Sequence, residues 1–190
     1  MRLLNFRAAS ALSLLTLSVV LLSGCASPQV TDYAAGKPVL DLRQYFNGTI
    51  DAYGLFTDRS GEVVKRFTVV VDCHWQGPPG AEVGTLDEHF TYSDGTTSER
   101  VWTLRRGPDG RYTGTAGDVL GDAAGRESGN AFHWHYTLEQ PVDGHVINVQ
   151  MDDWMYLMTD QVMLNKTQMS KFGVTLGEVT LSFMKRRHAS

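Results

Sequence analysis

Two histidines separated by one residue form the pattern in this chain with the most direct chemical meaning. His133 and His135 flank Trp134, and side chains two residues apart on a β-strand point to the same face of the sheet. Two imidazoles placed in this way can bind one Zn²⁺ ion when a further side chain completes the site. The candidates for that third ligand are Asp152, Glu139, His89 and His145. Because an isolated pair of this kind is a weak signal, two solvent-facing imidazoles without a metal are the more common outcome.

Two carboxylates interrupt strand faces that are otherwise apolar. Glu88 lies between Leu86 and Phe90 in the alternating pattern, and Asp153 lies in the same way among methionines. A buried carboxylate is costly unless it is paired or protonated. The candidate cationic partners are Arg66, Arg100, Lys166 and Lys171. Three roles remain open: a structural ion pair or hydrogen-bond network, a polar anchor for the head group of a ligand, and, less favoured, a general acid–base pair.

Large apolar side chains recur on the same predicted strand faces. The candidates to line a ligand cavity are Phe90, Trp102, Trp134, Met151 and Met155. Such residues fill a core in most proteins, but methionine also suits adaptable apolar binding. The set therefore predicts either a filled interior or an apolar pocket in which Glu88 and Asp153 orient a ligand.

The N-terminus predicts export and a lipid anchor. Arg2 and Arg7 precede an apolar run that ends in residues 22–25 (LSGC), which is the layout of a secretory signal peptide and is too short to span a membrane. The four residues resemble the site that bacterial lipoprotein signal peptidase cuts. The resemblance implies that residues 1–24 are removed and that Cys25 carries a diacylglyceryl thioether and an N-linked acyl chain such as palmitate, which would anchor it firmly. An ordinary signal peptide is the alternative.

The residue after the cysteine and the overall charge indicate where the protein resides. Ala26 stands where an aspartate usually retains a lipoprotein at the inner membrane, so the outer membrane is predicted, with the globular part facing the periplasm. Residues 25–38 are predicted to be the lipidated N-terminus and a tether, and residues 39–190 a single domain. The formal net charge of −4 argues against nucleic acid as a partner. A protein partner is not specified.

Cys73 has no intrachain partner if Cys25 is lipidated. It shares one face of a predicted strand with Val71 and Trp75, so a buried and inert thiol is expected rather than a catalytic one. The sequence also has no nucleophile elbow, phosphate-binding loop or haem motif. No catalytic residue and no cofactor are therefore predicted, and a binding role is favoured over an enzymatic one.

The chain after the tether reads as strands joined by short turns rich in Gly, Asp and Pro. About eight to ten strands are predicted, mostly paired with their neighbours in sequence, while residues 116–130 look irregular and residues 40–48 fit either a helical turn or a first strand. This spacing is typical of an all-β sandwich or barrel. Sequential hairpins favour a single antiparallel up-and-down barrel of the lipocalin or calycin type, which leaves no exposed edges.

Several stretches resemble one family of bacterial lipoproteins. The most specific are residues 152–157 (DDWMYL), 169–173 (MSKFG) and 177–181 (GEVTL), together with residues 54–61 (GLFTDRSG) and 84–90 (GTLDEHF). They are similar to the family called domain of unknown function 3833, over nearly the whole chain after the signal peptide. The family has no assigned activity, so the resemblance implies no catalytic residue.

Three functions are compatible with these patterns. The first is a periplasmic lipoprotein that binds or carries a fatty acyl or other apolar ligand inside the barrel. The second is a structural or interaction lipoprotein of the cell envelope with a filled barrel. The third is a metal-dependent hydrolase centred on His133 and His135. An interior large enough for an acyl chain distinguishes the first function from the second.

Overall fold

The computed structural model of the protein describes residues 27–142 and 144–186, which form one closed barrel of ten antiparallel strands. The strands are β1 Gly48–Asp58, β2 Val63–Gln76, β3 Val83–Tyr92, β4 Thr97–Arg106, β5 Arg111–Thr115, β6 Ala123–Ser128, β7 Ala131–Val142, β8 His145–Leu157, β9 Val162–Lys171 and β10 Val174–Lys185. Each strand pairs with its neighbours in sequence, and β1 pairs with β10 to close the barrel. The predicted all-β, up-and-down barrel is confirmed. The predicted signal peptide and Cys25 lie outside the described residues.

Alternation of side chains separates the interior of the barrel from its outer face. On β7, Phe132 and Trp134 are buried while His135 is exposed. On β8, Met151 and Asp153 are buried and Gln150 is exposed. This is the expected consequence of the two-residue period of a strand. Side chains at neighbouring positions therefore face two different environments throughout the barrel.

A tight turn between β3 and β4 illustrates how short loops fix the register. The Asp94 carboxylate accepts hydrogen bonds from the backbone N–H of Thr96 at 3.0 Å and from its hydroxyl at 2.6 Å. Gly95 adopts a positive φ of 83°, which costs glycine little because it has no Cβ. Asp94 and Gly95 thus form a hairpin turn, which places Glu88 of β3 opposite Arg100 of β4.

One end of the barrel, the closed end, is sealed by a short helix before the first strand. Helix α1, Leu42–Tyr45, begins where the Asp41 carboxylate caps the backbone N–H groups of Arg43 and Gln44. Leu42, Tyr45 and Phe46 are buried around the helix, and burying an apolar side chain of this size stabilises a fold by about 1.5–3 kcal/mol. The Trp75 indole N–H donates to the Phe46 carbonyl at 2.7 Å. The helical alternative predicted for residues 40–48 is therefore present.

The opposite end, the open end, carries partly exposed apolar side chains on the inner face. Here β2 begins, β3 ends and β4 begins. The apolar residues that are only partly buried there are Phe67, Phe90, Ile147, Met169, Leu176 and Leu181; we call them the mouth. Interior positions nearer the closed end, such as Val71, Leu104 and Met163, are almost completely buried. The interior therefore changes from packed at one end to accessible at the other.

Two segments differ from the sequence-based expectation. Strand β6 lies within residues 116–130, which were predicted to be irregular. Its inward positions include Gly125, whose missing side chain leaves room for Trp134 of β7. In addition, the predicted tether is docked from Val30 onward: Val30–Tyr33 forms a 3-10 turn with Val30 buried. The Tyr33 ring packs edge-on against Tyr156, with ring centres 5.3 Å apart.

Candidate functional site

A group of charged and polar side chains lies between the mouth and the packed closed end; four are on strands, and Asp118, from a loop at the open end, has a side chain that is 39 % exposed. We call it the interior cluster, and its members are Glu88, Arg100, Asp118, Tyr136 and Asp153. Glu88 and Arg100 face each other across β3 and β4, while Asp153 lies opposite Trp134 across β7 and β8. Asp118 comes from the loop between β5 and β6. That loop pairs with β7 through the Leu120 N–H and the Thr137 carbonyl at 2.9 Å.

Arg100 joins two carboxylates of the interior cluster. Its guanidinium donates to Asp118 Oδ2 from Nε at 2.9 Å and from Nη2 at 2.7 Å. Glu88 Oε2 lies 3.7 Å from Arg100 Nη1, which is beyond hydrogen-bond distance. Arg100 is therefore the partner of Glu88 among the four predicted cations, but its best hydrogen bonds go to Asp118.

Glu88 has an unsatisfied carboxylate oxygen. Its side chain is 14 % exposed, and the buried Oε2 atom has no hydrogen-bond partner among the described residues. Burial raises the pKa of Glu88 to about 7, although the Arg100 charge acts in the opposite direction. A carboxyl group in this state can both donate and accept near neutral pH. It is thus equipped to bind a polar group that enters from the mouth.

Asp153 is satisfied by neutral donors rather than by a cation. Its carboxylate accepts from the Trp134 indole N–H at 3.0 Å and from the Asn165 side-chain amide. The Tyr136 hydroxyl lies 3.5 Å away. Burial raises the pKa of Asp153 to about 6, while these donors act to lower it. The predicted buried network is present, whereas none of the four predicted cations forms an ion pair with Asp153 in the described structure.

Tyr136 connects the two halves of the interior cluster. Burial raises the pKa of its phenol well above the ordinary value, and the nearby carboxylate of Asp153 acts in the same direction. The hydroxyl group therefore stays protonated and can donate a hydrogen bond. Its ring packs edge-on against Trp102, with ring centres 5.3 Å apart. This packing places a fixed hydroxyl group beneath the mouth.

The structure separates the predicted ligand-binding residues into two groups. Glu88 and Phe90 lie towards the open end and are partly exposed. The others, Trp102, Trp134, Met151, Asp153 and Met155, are each at most 7 % exposed. Phe90 lies over the interior cluster, with the Arg100 guanidinium 5.6 Å from its ring centre. Ligand binding by any of these residues stays a prediction.

Sequence reasoning did not identify three polar residues of this site. Asn165 and Thr167 are buried beside Asp153, and they could have been found because they alternate with the buried Met163 on β9. Asp118 could not have been found in this way. It lies in a loop without periodicity, and it meets Arg100, 18 residues earlier in the chain, only in the assembled barrel.

The predicted histidine pair lies on the outer face of the barrel, together with one carboxylate. We call His133, His135 and Asp152 the outer cluster. His133 Nε2 lies 2.5 Å from Asp152 Oδ1, and His135 Nδ1 lies 3.7 Å from the same oxygen. Burial lowers the pKa of His133, although the hydrogen bond to Asp152 acts in the opposite direction. Of the four predicted third ligands, the structure brings Asp152 to the histidines.

A groove of about 570 Å³ runs beside the outer cluster. It is lined by the N-terminal residues 27–30 and by residues of strands β5 to β8. Arg111 and Arg126 also line it. The outer cluster is therefore open to solvent on one side and packed on the other.

Helices long and apolar enough to cross a membrane are not found in residues 27–142 and 144–186.

The closed ten-strand barrel, its sealed end and its open end define a β-barrel of the lipocalin-like, calycin type. Among solved structures, it is similar to the S-type phycobiliprotein lyase CPES from Guillardia theta. The TM-score is 0.59 at 9 % sequence identity, and the likeness covers 86 % of this chain and 100 % of that chain. At this identity the likeness extends to the fold alone.

The chain belongs to the family described as protein of unknown function (DUF3833), whose model matches residues 19–185. This confirms the resemblance noted in residues 152–157 and 169–173. No curated protein matches the chain at a significant level.

Proposed function

We propose that this protein is an outer-membrane lipoprotein, facing the periplasm, whose barrel binds an apolar ligand through the open end. The observation that carries the proposal is the Glu88 carboxylate, which is buried beneath the mouth and whose Oε2 has no hydrogen-bond partner in the described part of the chain. Ligand sites in proteins are mostly apolar and contain a few placed polar groups. The apolar part of the ligand would lie among the mouth residues, and its polar end would meet Glu88 and Tyr136.

The chemistry of the mouth favours a chain with one polar end, such as a fatty acid or a related lipid. Phe67 and Phe90 are 6.0 Å apart between ring centres, so an aliphatic chain could pack against both rings. Glu88 in its protonated form would donate to a carboxylate or carbonyl oxygen of the ligand. The predicted lipid anchor at Cys25 would hold this binding site close to a membrane, which is a source of such ligands.

Binding is tested directly with the fluorescent fatty acid cis-parinaric acid and the full chain in detergent. We expect saturable binding that Phe90→Ser weakens about tenfold or more, because burying a phenylalanine is worth about 1.5–3 kcal/mol and 1.4 kcal/mol is a factor of ten. The matched control is Leu164→Ser, which removes an apolar side chain that is 42 % exposed on β9. Equal binding by both variants, or no binding by the wild type, contradicts the proposal.

Native mass spectrometry of the protein extracted in detergent from the membrane fraction identifies a resident ligand. An organic-extractable mass present in the wild type and reduced in Phe90→Ser supports carriage of a lipid. The anchor is tested separately: Cys25→Ser, with residues 1–24 replaced by an ordinary cleavable signal peptide, should release the protein from the membrane fraction. Retention of that variant in the membrane would contradict lipid anchoring but not ligand binding.

A second candidate function is a structural or interaction lipoprotein, and two observations favour it. Trp75 packs against Gly84 and Trp134 packs against Gly114, so the closed half of the barrel is filled; the surface grooves of about 570 and 640 Å³ lie outside the interior. In addition, Phe172 is 91 % exposed and has a positive φ of 51°, a costly backbone conformation for a bulky residue. Phe172→Ser should then abolish cross-linking to an envelope partner while Leu164→Ser does not.

A further inference from the structure

Three potential metal ligands converge on the outer face of the barrel, away from the proposed ligand site. The side-chain ligand atoms of His133, His135 and Asp152 all lie within 4.8 Å of one another. The geometry points to a Zn²⁺-binding site formed by these three side chains, and we propose that the protein binds one such ion there. This site is independent of the proposed function, since the barrel wall separates it from the interior cluster.

The distances fit a metal with small side-chain adjustments. Zn²⁺ binds histidine nitrogen and carboxylate oxygen at about 2.0–2.1 Å in tetrahedral geometry, so two ligand atoms of one ion are about 3.3 Å apart. In the structure, Asp152 Oδ1 lies 2.5 Å from His133 Nε2 and 3.7 Å from His135 Nδ1. These two separations must change by less than about 1 Å. All three ligand atoms lie within 4.8 Å of one another, so the third separation, between the imidazole nitrogens, has to shorten by at most about 1.5 Å, and side-chain rotations supply such movements.

Strand pairing and ring packing hold the ligands in place. His135 lies directly opposite Asp152, and His133 lies directly opposite Trp154. The His133 ring is stacked on the Trp154 indole, with ring centres 3.7 Å apart and 14° between the planes. Tyr33 packs on the same indole at 5.7 Å. Ligands on rigid strands with packed neighbours need little ordering when the metal binds, which favours affinity.

The chemical types of the three ligands and the exposure of His135 indicate which metal ion binds and how many protein ligands it has. Two imidazoles and one carboxylate suit Zn²⁺ better than Mg²⁺ or Ca²⁺, which prefer oxygen ligands. Three protein ligands leave a fourth tetrahedral position, and His135 is 62 % exposed beside the groove. That position would hold a water molecule. Such an arrangement is typical of zinc sites that keep an open coordination position rather than of closed structural sites.

Isothermal titration of ZnCl₂ into the untagged full chain, stripped with EDTA and held in detergent, tests the proposal. We expect one Zn²⁺ per chain, and His135→Ala and Asp152→Asn should each weaken binding by more than the about 10–100-fold that is typical of losing an outer-shell partner. The matched control is His74→Ala on β2, which lies halfway round the ten-strand barrel from β7. It should leave the affinity unchanged.

Two further measurements separate a metal site from a hydrogen-bonded surface cluster. Cobalt(II) bound at the wild-type site should show the visible absorption bands of four-coordinate Co²⁺, and these should be absent in His133→Ala/His135→Ala. Circular dichroism without metal must show that the variants are folded. The proposal is overturned if the wild type binds no stoichiometric Zn²⁺, if the double variant binds it as tightly as the wild type, or if His74→Ala weakens binding as much as the double variant does.

Discussion

Asp152 and Asp153 are adjacent in the chain, yet the wall of the barrel separates their carboxylates. Asp152 faces outwards and lies 2.5 Å from the His133 ring. Asp153 faces inwards and accepts the Trp134 indole N–H at 3.0 Å. Adjacent positions on β7 and β8 therefore build one polar contact on each side of the sheet: His133 with Asp152 outside, and Trp134 with Asp153 inside. This arrangement lets two neighbouring, chemically identical residues be compared directly.

Removal of Asp153 should destabilise the protein far more than removal of Asp152. Asp153→Ala removes the acceptor of the buried Trp134 indole N–H and one of the two acceptors of the Asn165 amide, which also donates to the Trp154 carbonyl at 3.1 Å. An unsatisfied buried group costs about 1–3 kcal/mol. Asp152→Ala removes the contact between the Asp152 carboxylate and His133. The Asp152 side chain is 47 % exposed, and exposed ion pairs contribute about 0–1 kcal/mol. Urea unfolding without added metal measures both values. Equal losses in the two variants would contradict the assignment of Asp153 to a buried network.

The pKa of Glu88 predicts how stability depends on pH. Burial raises the pKa of this carboxyl from 4.5 to about 7 in the folded state. The folded state therefore holds the proton more tightly than the unfolded state, and this stabilising contribution is lost as the pH rises from about 5 through about 7. Glu88→Gln cannot ionise, so its free energy of unfolding relative to the wild type should rise by about 1–3 kcal/mol over that interval.

The charged groups around Glu88 are the same in the wild type and in Glu88→Gln, so the two proteins can be compared directly. Arg100, Asp118 and Asp153 face Glu88 electrostatically and are present in both proteins, so the difference between the two unfolding curves isolates Glu88. Urea titrations from about pH 5 to about pH 8 supply these curves. A difference that stays constant with pH would show that Glu88 is ionised throughout, and the pKa assignment would fail.

Alternation in the sequence predicted most of the barrel wall because each strand has one apolar and one polar face. It placed His133 and His135 outside, and Trp134 and Asp153 inside, as the structure has them. It failed at β6, where the inward residues Ala123 and Gly125 are too small to produce an apolar pattern. The large side chain that fills this space, Trp134, belongs to another strand. Contacts of this kind depend on strand pairing, which a single chain segment does not encode.

The polar contacts could be predicted only in part for a related reason. Glu88 and Arg100 lie on strands joined by one tight turn, so their pairing follows from the register of a hairpin. Asp118 is 18 residues from Arg100 in a loop, and Val30 docks on strands more than 90 residues later in the chain. Such contacts form when the barrel closes, and no local pattern indicates them.

Replacing a glycine inside the barrel by alanine should destabilise the protein wherever an aromatic ring packs on that glycine. A Cβ atom at Gly84 would lie 2.6 Å from the Trp75 ring, so Gly84→Ala must displace the indole that donates to the Phe46 carbonyl at 2.7 Å. Overpacking of this kind costs about 1–3 kcal/mol. Gly117→Ala is the matched control, since nothing lies within 4 Å of its added Cβ. Thermal unfolding should show a lower Tm for Gly84→Ala only.

Cys73 should be unreactive in the folded protein. The residue is 6 % exposed, and burial, reinforced by the nearby carboxylates of Glu88 and Asp72, raises the pKa of its thiol to about 12. Because the thiolate is the reactive form, iodoacetamide should modify Cys73 at neutral pH only after the barrel unfolds. In a Cys25→Ser background, where Cys73 is the remaining one of the two cysteines, intact mass spectrometry reads the result directly.

A thiol introduced at position 72 supplies the control, because it distinguishes protection of Cys73 by burial from a labelling reaction that is slow in itself. Asp72 is exposed on the outer face of β2, so Asp72→Cys presents a thiol to solvent on the same strand, with an ordinary pKa of about 8.5. That variant should gain one label rapidly in the native state and a second label only in guanidinium. If Cys73 were labelled as fast as the introduced thiol, the β2 inner face would be open to solvent. The description of the closed half of the barrel as packed beneath helix α1 would then be wrong as well.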